Sequence, residues 1–169
     1  PARAYWAGTL LADYLVTLPV VLAVPLMIVL LRQDGLSGAG LPLIAVECAV
    51  YPLGLLLFAY DVSFLFSTKE NLVKFLPIAN LTVSTVPTLL FYVLASQGRA
   101  NEACAAAARA VHYSMALLNP LYGLPGTLIY VMHLHSPAAP GGPPATAAAY
   151  FASGAAAPLY LSAATTTAL

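Results

Sequence analysis

Three runs of apolar residues, each long enough to cross a lipid bilayer, constrain this chain more than any other feature. A hydrocarbon core about 30 Å thick takes about 20 apolar residues in a helix. The runs cover about residues 10–31, 41–66 and 75–96. The first is free of charge over residues 14–31 and the third is free throughout, whereas Glu47 and Asp61 interrupt the second. Lipid offers no partner to an unpaired backbone group, so only helices or a closed barrel can span it. The runs lack the apolar/polar alternation of barrel strands. The expectation is an all-α, polytopic membrane protein.

The connectors agree. Arg32-Gln33-Asp34-Gly35, followed by Ser37, Gly38 and Gly40, is polar and turn-forming. Ser67-Thr68-Lys69-Glu70-Asn71 opens the second connector, which ends near Lys74. Links this short force an antiparallel array of spans. Tyr5 and Trp6 precede the first run, where amphipathic rings favour the headgroup zone. Arg3, Lys69 and Lys74 lie on one side and Arg32 on the other, so the positive-inside rule points to a cytoplasmic N-terminus, with Arg99 and Arg109 as counter-examples.

Composition excludes several classes. Hydrophobic residues make up 61% of the chain and charged residues only 7%, too few to clothe a soluble surface. Six basic residues balance six acidic ones, which argues against nucleic acid as a partner because phosphates demand a basic excess. Cys48 and Cys104 form no metal motif and no disulfide framework. The chain opens on Pro1 without the basic and apolar regions of a signal peptide, and it reads as a piece of a longer protein.

The fourth segment differs from the others. Residues 101–113 are alanine-rich with Glu102 and Arg109, which suits an interfacial helix. Residues 114–135 are apolar and long enough to cross, but hold Pro120, Gly123, Pro125 and Gly126. Proline removes a backbone donor and clashes with the preceding turn. The cluster predicts a re-entrant helical hairpin turning over residues 120–126. Residues 136–169 are rich in Ala, Pro, Gly, Ser and Thr and read as a low-complexity connector, although residues 145–164 could cross. The membrane domain is therefore expected over residues 1–135.

No catalytic residues stand out. Gly35 and Gly40 have phosphate-loop spacing, but Leu41-Pro42 stands where Lys and Ser/Thr are required, so no nucleotide-binding residue and no enzyme activity is assigned to this chain. His133 and His135 are two apart and point to different sides of a helix, so they are not assigned as metal ligands and are read as closing the segment at the water interface. The intramembrane acids are more informative. Asp13, Glu47 and Asp61 lie inside or at the ends of apolar spans, where ionisable groups are costly and face a bundle interior or water. Glu47 and Asp61 share one helix face about 21 Å apart, too far to pair.

Three stretches in order carry a resemblance. Ala4-Tyr5-Trp6, then Leu10-Leu11-Ala12-Asp13 with Pro19 beyond, resembles a Tyr-Trp followed by Trp-Asp at the start of a span. Ser63-Phe64-Leu65-Phe66-Ser67 resembles a Ser-Phe-x-Phe segment ending the next. Leu118-Asn119-Pro120-Leu121-Tyr122-Gly123-Leu124 resembles a Phe-Pro-x-x-x-Leu-Gly segment after the third. Together they resemble the second transmembrane domain, of ABC-2 type, of A-subfamily ATP-binding cassette (ABC) transporters, the lipid exporters. Ala12 stands where that family has Trp, Thr68-Lys69-Glu70 replaces Pro-Ser-Thr, and Pro125 and Thr127 fall where it has glycines. The resemblance implies an ATP-driven exporter of membrane lipid. ATP and Mg²⁺ would be held by nucleotide-binding domains outside this fragment, and the other transmembrane half would pack against it. It also implies a cytoplasmic N-terminus and an outer-leaflet hairpin at residues 114–135. The alternatives are an ion-coupled secondary transporter using Asp13, Glu47 and Asp61, or a non-transporting scaffold.

The topology makes a direct prediction. In a background lacking Cys48 and Cys104, Ser37→Cys and Asn71→Cys label with an impermeant thiol reagent from opposite faces of a sealed vesicle. Labelling from one face contradicts three crossings.

Overall fold

The computed structural model describes residues 2–33, 36, 38–98, 100–135, 144 and 146–161. Among them all regular structure is helical. Three helical stretches are long and apolar enough to cross a membrane: Ala4–Leu30, Gly38–Ser63 and Glu70–Gln97. The chain therefore fits a multi-pass membrane protein.

The first is α1 (Ala2–Leu30), with Pro19 and Pro25 inside it. It starts eight residues before the apolar run expected to form the span, because nothing in residues 2–9 breaks a helix. It ends with Arg32 at φ +50°. Arg32 N–H bonds to Val29 O at 3.2 Å and Gln33 N–H to Ile28 O at 3.1 Å, the paired closure of a left-handed C-terminal cap. Asp34, Gly35 and Ser37 of the connector lie outside the described residues.

The second helix, α2 (Leu41–Ser63), carries a proline in its first turn, where the missing N–H would have no partner anyway. It stops three residues short of the expected boundary. Phe64 N–H bonds to Asp61 O at 3.2 Å and Leu65 N–H to Val62 O at 3.0 Å, tightening the end into a turn. Extended Thr68 then accepts from Asn71 N–H and starts α3 (Lys69–Asn80). Glu70 and Lys74, expected in the connector, thus lie on the helix. Phe66 and Phe75 stack across the turn at 6.0 Å.

The third span is not a uniform helix. α3 leads into a π turn at Leu81–Thr85 and then α4 (Val86–Gln97). Pro87 explains the break. In an α-helix the carbonyl of Val83 would accept from residue 87, which is a proline without an N–H and with a ring that crowds that carbonyl.

After the third span the chain turns back. α5 (Glu102–Leu118) opens on Asn101, whose Oδ1 accepts from Ala103 N–H at 2.9 Å. It packs along α4. A Cβ at Gly98 would lie 3.0 Å from Ala105, and Ala108, His112 and Ala116 form one buried stripe at every fourth residue. Small side chains let helices approach closely in membranes. The alanine-rich residues therefore belong to one packed helix that continues to Leu118 rather than to a helix separate from the segment after it. A 3₁₀ turn (Pro120–Tyr122) follows, then α6 (Gly123–Leu134). The bend between the two arms is 118°. α6 returns along α2 toward its start: Gly123 faces Glu47, and Val131 faces Gly40.

Residues 146–161, read from sequence as connector, are helical and packed. Thr146 caps α7 (Ala147–Phe151), and a 3₁₀ turn follows at Gly154–Ala156. Tyr150, Ala155 and Ala156 are buried with Ile28, Leu43, Ile44, Cys48, Leu124 and Val131. Alanine and glycine need little room, so a low-complexity composition suits a closely fitted cover. The remaining residues of 136–169 lie outside the described set.

Candidate functional site: the hairpin tip and its seat

The hairpin turns where Asn119 leaves the helix at φ −132°, ψ 98°. A residue before proline is driven out of the α region by the ring. Asn119 then serves both sides of the turn. Its Oδ1 accepts from Leu121 N–H at 3.0 Å, capping the 3₁₀ turn, and its Nδ2 donates to Val83 O. That carbonyl is the one deprived of its helical partner by Pro87. One residue along, Ser84 Oγ donates to Leu121 O at 3.0 Å, and Thr88 Oγ1 donates to Ser84 O at 2.7 Å. Two broken pieces of backbone thus satisfy each other.

The turn is narrower than residues 120–126. Pro120 opens the 3₁₀ turn, but Gly123, Pro125 and Gly126 sit in the first turn of α6. Pro125 breaks nothing there, because the first N–H groups of a helix have no intrahelical partner. The glycines serve close packing. A Cβ on Gly126 would lie 2.3 Å from the Tyr122 ring, and one on Gly123 would lie 2.7 Å from Glu47 Oε1.

The two arms are pinned by His112. Its Nε2 lies 2.8 Å from Gly154 O and its Nδ1 lies 2.9 Å from Tyr122 Oη. A carbonyl can only accept, so Nε2 carries the hydrogen and Nδ1 accepts from the Tyr122 hydroxyl. Phe91, Tyr130 and His112 gather around this bond, with Phe91 and Tyr130 stacked at 5.5 Å. Thr127 Oγ1 donates to Ala155 O at 3.3 Å, tying the cover to α6.

The three acids are not brought together. Asp13 accepts a hydrogen bond from the Tyr60 hydroxyl at the junction of the α1 start and the α2 end, with Trp6 edge-on to Tyr60 at 6.4 Å. Asp61 is exposed. Glu47 is 1% exposed, nearly four helical turns from Asp61, under Gly123. Its Oε2 has no hydrogen-bond partner. Among the described residues no three His, Cys, Asp or Glu side chains gather as a metal site. His133 and His135 do point apart: His133 meets Phe91 and Tyr130 edge-on, while His135 bonds Val131 O at 3.0 Å and Tyr150 Oη at 3.2 Å. Gly40, of the phosphate-loop spacing, is covered by Val131 and Tyr150.

Two apolar hollows flank this assembly. Below the tip, where α2 and α3 diverge, a cavity of about 260 Å³ is lined by Leu55, Phe58, Ala59, Leu76, Pro77, Asn80 and Leu121. A groove of about 370 Å³ runs between α1 and α2, lined by Ala7, Leu10, Leu11, Tyr14, Ala49, Val50 and Leu53. The arrangement is suited to binding apolar ligands and to holding a backbone turn at depth.

The reading from sequence missed Asn119, Ser84, His112 and Tyr60. An Asn-Pro pair inside an apolar run and a single His in an alanine-rich helix were the signals available for two of them. Comparisons with protein-family models, with curated proteins and with solved structures return no match.

The network predicts unequal losses. Asn119→Ala leaves Val83 O and Leu121 N–H unpaired and costs about 1–3 kcal/mol. Asn101→Ala removes an exposed cap and costs about 1 kcal/mol. Unfolding in detergent, followed by circular dichroism, ranks the two. Equal losses contradict the role given to Asn119.

Proposed function

We propose that this chain is the membrane-spanning part of an ATP-driven exporter of lipid, in the manner of the second transmembrane domain of A-subfamily ABC transporters. One observation supports it above the others: three helices long and apolar enough to cross a membrane are followed by a helix pair bent by 118°, with an apolar cavity beside the bend. That order of elements is the one the resemblance implies. Apolar hollows with one amide at the edge, Asn80, suit acyl chains better than a polar solute. The exposed faces of α1, with Val16 at 75% and Val20 at 72%, suit contact with lipid or with the other transmembrane half.

In this reading, ATP and Mg²⁺ belong to nucleotide-binding domains outside the fragment, and those domains supply the driving free energy. The residues of this chain shape the path. The rival reading of an ion-coupled transporter takes Asp13, Glu47 and Asp61 as ion ligands, and among the described residues no three such side chains gather.

The test uses the full-length gene product in proteoliposomes. ATP-dependent movement of a fluorescent phospholipid between leaflets is expected, slowed several-fold by Leu121→Trp, which fills the cavity. The 169-residue chain alone hydrolyses no ATP above a blank preparation. A full-length reading frame without nucleotide-binding domains, or hydrolysis by the isolated chain, overturns the proposal.

A further inference from the structure

Glu47 is a carboxyl group at membrane depth, 1% exposed, with one oxygen lacking any hydrogen-bond partner. An isolated carboxylate in such surroundings is strongly disfavoured unless a counter-charge reaches it. The surrounding groups supply none. On α2 itself its neighbours are Cys48 and Tyr51. From the hairpin, Gly123 lies over the carboxyl, followed by Leu124, Pro125, Gly126 and Thr127, none of them ionisable. The preceding residue, Tyr122, has its hydroxyl engaged with His112. From α1, Tyr14 donates to Ala49 O at 2.7 Å, and from α7, Tyr150 packs at Gly40, two turns away. With Glu47 1% exposed, a Lys or Arg from elsewhere meets it only if the packing around it opens.

The start of α6 does offer the positive end of a helix. That end favours an anion, but its reach is confined to the first turn. Tyr122, which precedes α6, makes no capping bond, and no N–H group of α6 bonds Glu47 Oε2. A dipole without a direct bond does not offset the desolvation of a whole charge. The remaining counter-charge, small enough to enter without displacing anything, is a proton.

We propose that Glu47 is a proton-binding site and that the hairpin tip is seated only while Glu47 carries its proton. Loss of that proton to water leaves a bare charge against Gly123, and the tip lifts so that the carboxylate becomes hydrated. The absence of a side chain at 123 makes the seat possible, since Oε1 fills the place of a Cβ. The inference does not depend on the transport reading, because it uses only the burial of Glu47 and its contact with the hairpin.

The experiment places spin labels at Leu118→Cys on the tip and Phe64→Cys at the end of α2, both exposed at 74% and 77%, in the full chain in lipid vesicles with Cys48 and Cys104 replaced by alanine. Pulsed dipolar spectroscopy reads the distance between them from acid to alkaline buffer. The expected result is a second, longer population that grows with pH in the protein with Glu47 present. Glu47→Gln keeps the short distance throughout, and Gly123→Leu shows the long one throughout, which fixes the signature of a lifted tip. A distance that does not respond to pH with Glu47 present, or an equal response in Glu47→Gln, overturns the proposal.

Discussion

A missing hydrogen bond in the middle of the third span organises the rest of this fold. Pro87 leaves the carbonyl of Val83 without its helical donor, and in a membrane-spanning helix no water would be at hand to replace it. The amide of Asn119 fills the gap. Asn119 is itself present at that level because Pro120 forces the chain to turn there. Each break would be costly alone. Together with Ser84 bonded to Leu121 O, they fix which level of the third span the bend meets.

The hairpin in turn determines how the spans stand. α5 lies along α4, and α6 lies between α4 and α2, so the second and third spans are held together largely through the hairpin in the half of the bundle where it sits. In the other half, residues of α2 and α3 together with Leu121 line the apolar cavity. Backbone satisfaction at the tip and space for an apolar ligand below it are two consequences of one arrangement. The cover formed by residues 146–161 closes the opposite end through His112, Gly154 and Thr127.

Hydropathy made the three long helices legible, because an apolar run of that length with at most two charges has few other uses. Their ends were less so. Thr68 as a cap moves the third helix back to Lys69, and no local signal stops α1 at Leu10. The Pro/Gly cluster marked a sharp bend between two helices but not the roles of its members, since Gly123 and Gly126 answer to Glu47 and Tyr122, partners chosen by packing. The alanine-rich residues 101–113 and residues 146–161 look featureless in sequence because close packing needs small side chains rather than distinctive ones. The bond from Asn119 to Val83 spans 36 positions and is invisible to any local pattern. Glu47 stood out as an acid in an apolar span, and its distance from Asp61 was legible from helix geometry, but its burial against Gly123 needed the fold.

The central claim is that residues 102–134 enter from one face and return to it. The most direct measurement places single cysteines at Glu102 and at Met132, near the two ends of the hairpin, in a background without Cys48 and Cys104. Each is exposed to an impermeant thiol reagent on either side of a sealed, oriented vesicle. Labelling of both from the same face is the predicted result. Labelling from opposite faces would make this segment a fourth crossing and would contradict the account.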